Sequence, residues 1–587
     1  MRFKANPSAK VWIAALFLGV GFARSARAWQ SDRGDGTFTN PPLYADYPDP
    51  DIIRVGGDFY LVSTTFVDSP GINILRSQDL VNWRIVAHAA SVVNGGNRFN
   101  LQGGTAYRQG FWAASIRYRN GMFYVVDNPT FGNARIYYAA EITGPWRYHV
   151  LNRPAYDPGF YIGADGTGYI VCGNTDLSLL TLNSDYSRVI SVKRHLLVYR
   201  GIEGSHLIKR GEYYYLFNAD PSLRPFALLC SRSTRISGPY ETIKSLDDPS
   251  GGHQGGIVEL ANGRWYGFVM KDCGAIGRMT YISPIFWRNG WPVWGTRGAP
   301  GRVPAAARIP VQGGGVCQPA TSDAFDSPTL GLQWQWNHNP DNSRWSLTAR
   351  PGFLRLKPTR AANFWLARNT LTQKGQGPWS CGEVKLDLRH LRAGDVCGFG
   401  TLGKTNGQIS VNCGNTGAIT LKMNVIVPLN PSSTELAQTS LASAAFAGTT
   451  LYLRTELDFT DELGICSYSA DGANWSVLGG PFKLEYDWRT GTFQGEKYAI
   501  FCFNPNPGDG YVDVDWFRFR GTRRTAMKRT AESPSLATFA RGTAQASGGR
   551  EAHSRQRPGV QPGAACQTRP TGPLSNRACR PVAGMAA

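Results

Sequence analysis

The sequence predicts an all-β protein, a five-bladed β-propeller followed by a β-sandwich. Three observations lead to this prediction. The 587 residues are rich in Gly (68), Tyr (25), Phe (28) and Trp (17), a composition that favours strands and turns. An apolar strand, a Gly-containing turn and an aromatic strand recur five times between residues 49 and 270. A second stretch of short alternating strands, without a repeat, follows residue 322.

Each of the five repeats carries a β-hairpin signal. In the second repeat, Asn120-Gly121 separates two apolar strands, and Asn-Gly is among the strongest two-residue turn signals. Further short strands follow several hairpins, for example after Gly144-Pro145-Trp146. Units of about 45 to 60 residues with four strands each are typical of a propeller. The pattern alone leaves a sandwich open as the alternative for this region.

The repeat and the changes in composition set the domain boundaries. We predict the propeller over residues 35–305 and the sandwich over residues 323–520. Residues 306–322 break the pattern with Gly313-Gly314-Gly315 and are predicted to be a linker. Residues 521–587, rich in Arg, Ala, Gly, Pro and Ser, are predicted to be a disordered basic tail.

The N-terminus has the pattern of a secretory signal peptide. A basic start precedes an apolar run from Val11 to Ala23, and Ala26-Arg27-Ala28 supplies a cleavage site, so residues 1–28 are predicted to be removed. The apolar run is too short to span a bilayer, which needs about 20 residues. The sequence therefore predicts a secreted or periplasmic protein without a membrane anchor.

Charge and cysteine spacing exclude two further classes of function. The formal charge is +20, but residues 1–28 contribute +5 and residues 521–587 contribute +9, which leaves +6 for the predicted domains. This distribution does not favour a nucleic-acid partner. The 11 cysteines are scattered without a C-x-x-C pair, so we predict no zinc site and expect most of them to be small buried side chains.

Five residues of functional type share one position of the repeat. In order they are Asp49, Trp112, Asp157, Glu203 and His253, and they precede the turn glycine by 8, 9, 9, 8 and 10 residues. The innermost strand of every propeller blade starts at the same face of a central channel. We therefore expect these five side chains to converge there.

Three carboxylates and an aromatic ring suit the hydrolysis of a glycosidic bond. That reaction needs a protonated acid at the leaving oxygen and an ionised base at the attacking water. A third carboxylate in the same pocket can keep the acid protonated, since like charges push pKa values apart. Alone, an Asp before Pro is most often a turn residue. The shared register of Asp49, Asp157 and Glu203 favours the catalytic interpretation.

The motifs around these residues resemble a known family. The chain is similar to glycoside hydrolase family 43, and in particular to its two-domain β-xylosidases and α-L-arabinofuranosidases with a concanavalin-like C-terminal domain. The motifs that carry the resemblance are the segments at residues 48–54, 64–66, 77–83, 203–207 and 253–256, with residues 334–340 in the second domain.

The resemblance implies a division of labour among the carboxylates. Asp49 would be the general base that activates water, and Glu203 the general acid. Asp157 would raise the pKa of the acid and orient it. The family inverts the configuration at the anomeric carbon, so the same outcome is expected here.

The resemblance also implies a set of substrate-binding residues. Phe66 and Trp112 fall where such enzymes wall the sugar subsite, and Arg278 falls where they place an arginine against substrate hydroxyls. His253 falls where many members hold a histidine in the channel, sometimes beside a calcium ion. We therefore expect no required cofactor, with a structural calcium ion at His253 as the one metal site that the resemblance allows.

Taken together, the residues and the resemblance predict an exo-acting enzyme that releases xylose or arabinose from hemicellulose oligosaccharides. The choice between the two sugars stays open, because Ala113-Ala114-Ser115 and Val67-Asp68-Ser69 depart from the family pattern. An endo-arabinanase and a non-catalytic carbohydrate-binding propeller are the alternatives. A retaining fructan-active propeller is disfavoured, since its Asn-Asp-Pro and Arg-Asp-Pro tripeptides do not occur.

Overall fold

The computed structural model describes residues 29–430, 434–506 and 508–521. The predicted signal peptide, residues 1–28, and the predicted tail beyond residue 521 lie outside the described residues. In the described ranges, the only helical elements are three short 3-10 turns, at Asn97–Asn100, Gly274–Ile276 and Phe364–Leu366, so no helix there could cross a bilayer. The all-β prediction is confirmed.

The first part of the chain is a five-bladed propeller, as predicted. Each blade is an antiparallel sheet whose strands follow one another in sequence order, and blade V has a fifth strand. The strands are Asp51–Val55, Asp58–Ser63, Gly71–Ser77 and Trp83–Ala90 in blade I; Ala114–Arg119, Met122–Asp127, Arg135–Ala139 and Arg147–Val150 in blade II; Gly159–Ile162, Gly168–Cys172, Asp176–Leu182 and Val189–Val198 in blade III; Glu203–Arg210, Tyr213–Asp220, Ala227–Ser233 and Glu241–Leu246 in blade IV; and His253–Glu259, Trp265–Asp272, Arg278–Arg288, Trp291–Thr296 and Ala299–Pro300 in blade V.

The first strands of the blades form the inner ring of the propeller. Each of them contacts the first strands of its two neighbours, and the ring closes between blades V and I. The predicted turns connect these strands to their partners: Asn120 (φ 49°) and Gly121 (φ 79°) occupy the left-handed region that a two-residue hairpin turn requires. The starts of all five first strands therefore lie at one face.

A short two-stranded ribbon joins the two ends of the propeller. Thr37–Thr39 pairs antiparallel with Ala306–Arg308, with Phe38 opposite Ala307 and fully buried. The structure thus places a strand at the start of the predicted linker, residues 306–322. Alanine has little preference for strands, and the partner lies far away in the sequence, so the local pattern gave no sign of this pairing.

The second part is a β-sandwich of two eight-stranded sheets with a shared apolar core. One sheet contains Gln335–Trp336, Thr359–Arg360, Leu371–Lys374, Val396–Leu402, Asn406–Cys413, Ile419–Pro428, Leu436–Phe446 and Lys497–Asn504; the other contains Trp345–Ser346, Leu354–Leu356, Trp379–Asp387, Thr450–Asp458, Leu463–Ser469, Ser476–Val477, Phe482–Lys483 and Val512–Gly521. The nine described cysteines are free thiols, and seven of them are buried. Burial of most of these side chains agrees with the sequence analysis.

The sandwich packs directly on blades I and II. Tyr107 stacks on Trp365 with 3.6 Å between ring centroids, and the backbones of Ser69 and Trp336 exchange two hydrogen bonds of 3.0 and 2.7 Å. Apolar side chains of both parts share one core cluster. This packing brings the loop at residues 484–496 of the sandwich against the propeller.

Candidate active site

Asp49 sits at the centre of a cluster of charged and polar groups. It lies two residues before the first strand of blade I and is 7% exposed. One carboxylate oxygen accepts a hydrogen bond of 2.8 Å from Nη1 of Arg278, and the other accepts one of 2.6 Å from the Thr64 hydroxyl. Asp49 is thus held as an acceptor inside the pocket.

The backbone is strained at three of the predicted site residues. Asp49 (φ 53°), Phe66 (φ 52°) and Asp157 (φ 49°) all lie in the left-handed region, which is uncommon for residues other than glycine. Phe66 exchanges backbone hydrogen bonds with Phe111, and a Cβ on Gly110 would come within 2.0 Å of the Phe66 carbonyl. Strain of this kind collects at functional sites, where the surrounding fold enforces it.

Asp157 is a buried carboxyl group beside two others. It is 8% exposed and lies two residues before the first strand of blade III. Burial, and then the negative charges of Glu203 and Asp49, raise the pKa of Asp157 well above its ordinary value, while Arg278 opposes this shift. Asp157 and Glu203 therefore cannot both ionise readily, and the pair retains a proton to higher pH than a free carboxyl group.

Glu203 is half-buried at the start of the first strand of blade IV. Its Oε2 accepts a hydrogen bond of 2.7 Å from Nδ2 of Asn174 and one of 3.1 Å from the Tyr156 hydroxyl. Burial raises the pKa of Glu203 and the charge of Asp49 raises it further, whereas the two hydrogen bonds oppose the shift. A carboxyl group with a raised pKa has the property that a general acid needs.

Aromatic rings form one wall beside these carboxylates. The ring centroids of Phe66 and Trp112 lie 6.3 Å apart, and Phe493, from the sandwich loop, lies 5.2 Å from Phe66 and 6.3 Å from Trp112. The guanidinium of Arg278 lies over Phe493 at 4.4 Å. Its Nε and Nη2 are buried and meet no hydrogen-bond acceptor among the described residues, which leaves two donors for a ligand hydroxyl.

His253 occupies the predicted register but has a different environment. The imidazole is 8% exposed, packs on the ring of Phe226 at 4.4 Å, and places Nε2 3.5 Å from Asp272 Oδ1. Calcium prefers six to eight oxygen ligands. In the part of the chain that the structure describes, no three His, Cys, Asp or Glu side chains are grouped to hold a metal ion. The calcium ion at His253 stays a prediction.

The structure brings Asp49, Asp157 and Glu203 together with Phe66, Trp112 and Arg278. The side chains of Tyr156, Asn174 and Phe493 also belong to this site and were not predicted from the sequence. Asn174 follows the second strand of blade III, and in an antiparallel hairpin the end of the second strand lies beside the start of the first. That geometry could have predicted the position of Asn174. Phe493 belongs to the other domain, where no repeat indicates which residues lie near the site.

Comparison with known proteins agrees with this geometry. The family model described as glycosyl hydrolases family 43 matches residues 38–292, and the model of the β-xylosidase C-terminal concanavalin A-like domain matches residues 322–520. The two matches correspond to the propeller and the sandwich.

Individual relatives match across both domains. A β-xylosidase of Formosa agariphila is 28% identical over 83% of this chain and 91% of its own length. A putative β-xylosidase of Xylanibacter ruminicola is 33% identical over 62% of this chain and 70% of its own length. A solved structure of a family 43 glycoside hydrolase, engineered to display both endo-xylanase and exo-arabinofuranosidase activity, is 29% identical with a TM-score of 0.76, over 82% of this chain and 99% of that one. On the strength of these matches and of the two-domain fold, the chain belongs to family 43 of the glycosyl hydrolases.

Proposed function

We propose that this glycoside hydrolase is an exo-acting, inverting enzyme that releases xylose, arabinose or both from hemicellulose oligosaccharides. The observation that carries the proposal is the contrast between two carboxyl groups of one pocket. Asp49 forms an ion pair with Arg278 and accepts a hydrogen bond from the Thr64 hydroxyl, whereas burial raises the pKa of Glu203, which favours the protonated form. One group suits the base and the other the acid.

The proposed reaction is a single displacement. Asp49 takes a proton from a water molecule whose oxygen forms a bond to the anomeric carbon. The bond from that carbon to the leaving oxygen breaks, and Glu203 gives its proton to that oxygen. The products are the free sugar, with inverted configuration, and the shortened alcohol. Proton exchange with solvent then restores Asp49 and Glu203, so no cofactor is required.

Asp157 would act through its repulsion of Glu203 instead of contacting water. Its burial opposes a charge and the charge of Glu203 raises its pKa, so by reciprocity an ionised Asp157 would raise the pKa of Glu203. The pair therefore carries a proton at a pH where an isolated glutamate is ionised. This extends the range over which the acid is available.

The aromatic wall and the relatives support the choice of substrate. Phe493 from the sandwich reaches Phe66 and Trp112, so the second domain covers one side of the pocket and favours attack on a chain end over an open cleft. The relative from Formosa agariphila is named a β-xylosidase and that from Xylanibacter ruminicola a putative β-xylosidase, and the engineered relative displays both endo-xylanase and exo-arabinofuranosidase activity. From the pattern at residues 1–28 we also propose that the enzyme acts after export.

The configuration of the first product tests the proposed reaction. We expect release of nitrophenol from 4-nitrophenyl β-D-xyloside, from 4-nitrophenyl α-L-arabinofuranoside or from both. Proton NMR of the first turnovers should show a sugar of inverted anomeric configuration, before mutarotation mixes the anomers. Retention of configuration would contradict the single displacement, and hydrolysis of neither glycoside would contradict the proposed substrates.

The pH dependence of kcat/KM tests the coupling of Asp157 with Glu203. Because the acid must be protonated, activity should be lost as pH rises through the raised pKa, so this loss should fall above the ordinary glutamate value of about 4.3. Asp157→Asn removes the carboxyl group that shares protons with Glu203, so the loss should then occur at lower pH. Asp165→Asn, at an exposed turn of the same blade, is the control and should leave the profile unchanged. An unmoved profile in Asp157→Asn would show that Asp157 does not act on the acid.

A further inference from the structure

Two side chains outside the predicted register converge on one oxygen of Glu203. Nδ2 of Asn174 and the hydroxyl of Tyr156 both donate to Oε2, at 2.7 and 3.1 Å. Oε1 accepts no hydrogen bond from any residue that the structure describes. The two oxygens of the carboxyl group are therefore unequal before any substrate binds.

The orientation of the Asn174 amide is fixed by its own neighbours. The Thr175 hydroxyl donates to Oδ1 of Asn174 at 2.9 Å, and the backbone N–H of Gly201 donates to that hydroxyl oxygen at 3.1 Å. With its one hydrogen given to Asn174, the hydroxyl accepts from Gly201. The amide oxygen of Asn174 therefore faces Thr175, and its NH₂ group faces Glu203.

The backbone that carries Asn174 is held in a strained form. Thr175 has φ 67°, which is a genuine outlier for a β-branched residue. Its N–H donates to the Ile202 carbonyl at 2.9 Å, and its carbonyl accepts from the N–H of Tyr199 at 2.9 Å. These bonds tie the loop that carries Asn174 to the segment immediately before Glu203. Such strain persists only where the surrounding structure enforces it, and it is commonly found at functional sites.

Tyr156 remains a donor under working conditions. Burial, and then the negative charges of Asp157 and Glu203, raise its pKa above the ordinary value of a tyrosine, so the hydroxyl keeps its proton. Its ring lies 6.1 Å from that of Trp112, in the aromatic wall. Tyr156 thus reaches Glu203 while its ring packs beside the sugar subsite.

We propose that Asn174 and Tyr156 are positioning residues that keep the catalytic proton of Glu203 on Oε1. This inference rests on the proposed role of Glu203 as the general acid. An oxygen that accepts two hydrogen bonds has its lone pairs occupied and acts as the carbonyl oxygen of the acid. The proton is then placed on the oxygen left free for the glycosidic oxygen. The same two bonds stabilise the carboxylate that remains after the proton has left.

The dependence of rate on the leaving group tests this inference. A 2,4-dinitrophenyl xyloside needs little protonation, whereas a 4-methoxyphenyl xyloside depends on the acid. We expect Asn174→Ala to slow the methoxyphenyl substrate about tenfold, with the dinitrophenyl substrate within about twofold of wild type. The hydrogen bond from Asn174 lowers the pKa of Glu203. Without it, the alkaline loss of activity should therefore occur at a higher pH than in the wild type. Tyr156→Phe, which keeps the ring, should act in the same direction.

Two further variants make the result decisive. Asn183→Ala, which alters another hydrogen-bonded asparagine of blade III, should leave both rates and the pH profile unchanged. Glu203→Gln should show the same selectivity for the leaving group as Asn174→Ala, but more strongly. Selectivity in Glu203→Gln without selectivity in Asn174→Ala would overturn this inference and leave the proposed function intact. Absence of selectivity in Glu203→Gln would overturn both.

Discussion

Asp49→Asn is expected to lower kcat by about 10³-fold, within the range of 10² to 10⁴ that general base catalysis contributes. An amide cannot take the proton of the attacking water, and it also gives up the charged contact with Arg278 at 2.8 Å. The shape of the residue is kept, so the loss reports on chemistry more than on packing. The measurement is kcat on a nitrophenyl glycoside, with the circular dichroism spectrum as a check on folding.

The control for that variant is a different ion pair, formed by Asp58 and Arg76 of blade I. Asp58 accepts a hydrogen bond of 2.8 Å from Arg76 and begins the second strand, at the opposite end of the hairpin from Asp49. Asp58→Asn should leave kcat within about twofold of wild type, because it removes an ion pair without touching the site. If Asp49→Asn kept more than about a tenth of the wild-type kcat, the base would have to lie elsewhere.

Much of the propeller could be predicted because its local signals repeat. Turn residues such as Asn120-Gly121 predicted the hairpins, and offsets of 8 or 9 residues from the turn glycines identified Asp49, Asp157 and Glu203 as neighbours. A similar offset placed His253 in the ring, but a position in the repeat does not show which groups the side chain contacts. Its environment, with Phe226 on one side and Asp272 at 3.5 Å, became visible only from the packing.

The contribution of the second domain to the site could not be predicted from local sequence patterns. Phe493 lies more than 400 residues from Phe66 in sequence, yet their rings are 5.2 Å apart. No periodic pattern links the two positions, because the contact depends on how two independently patterned domains pack. Asn174 is an intermediate case, since the pairing of the first two strands of blade III places it at the face where the first strands start, without indicating that its amide would bind Glu203 of blade IV.

A buried ion pair joins the two loops that carry this aromatic wall. Nζ of Lys497 lies 2.8 Å from Asp68, and the two side chains are 3% and 0% exposed. Gln494 donates to Asp68 at 2.7 Å and to the Thr65 carbonyl at 3.3 Å. Asp68 follows Phe66 closely, and Lys497 follows Phe493. The charged contact therefore fixes the spacing of the two rings across the domain boundary.

Asp68→Asn is expected to lower the free energy of unfolding by about 3 to 5 kcal/mol, because it leaves the buried Lys497 ammonium without its counter-charge. Lys497→Met should cost less, since Asp68 keeps the hydrogen bond from the Gln494 amide. Urea unfolding followed by tryptophan fluorescence measures both changes in stability. KM should also rise in both variants, because the rings of Phe66 and Phe493 lose their fixed spacing. Lys244→Met, at an exposed pair with Asp247, should change stability by about 0.5 kcal/mol or less. A change below about 1 kcal/mol in Asp68→Asn would show that the other contacts between the domains hold them together without this ion pair.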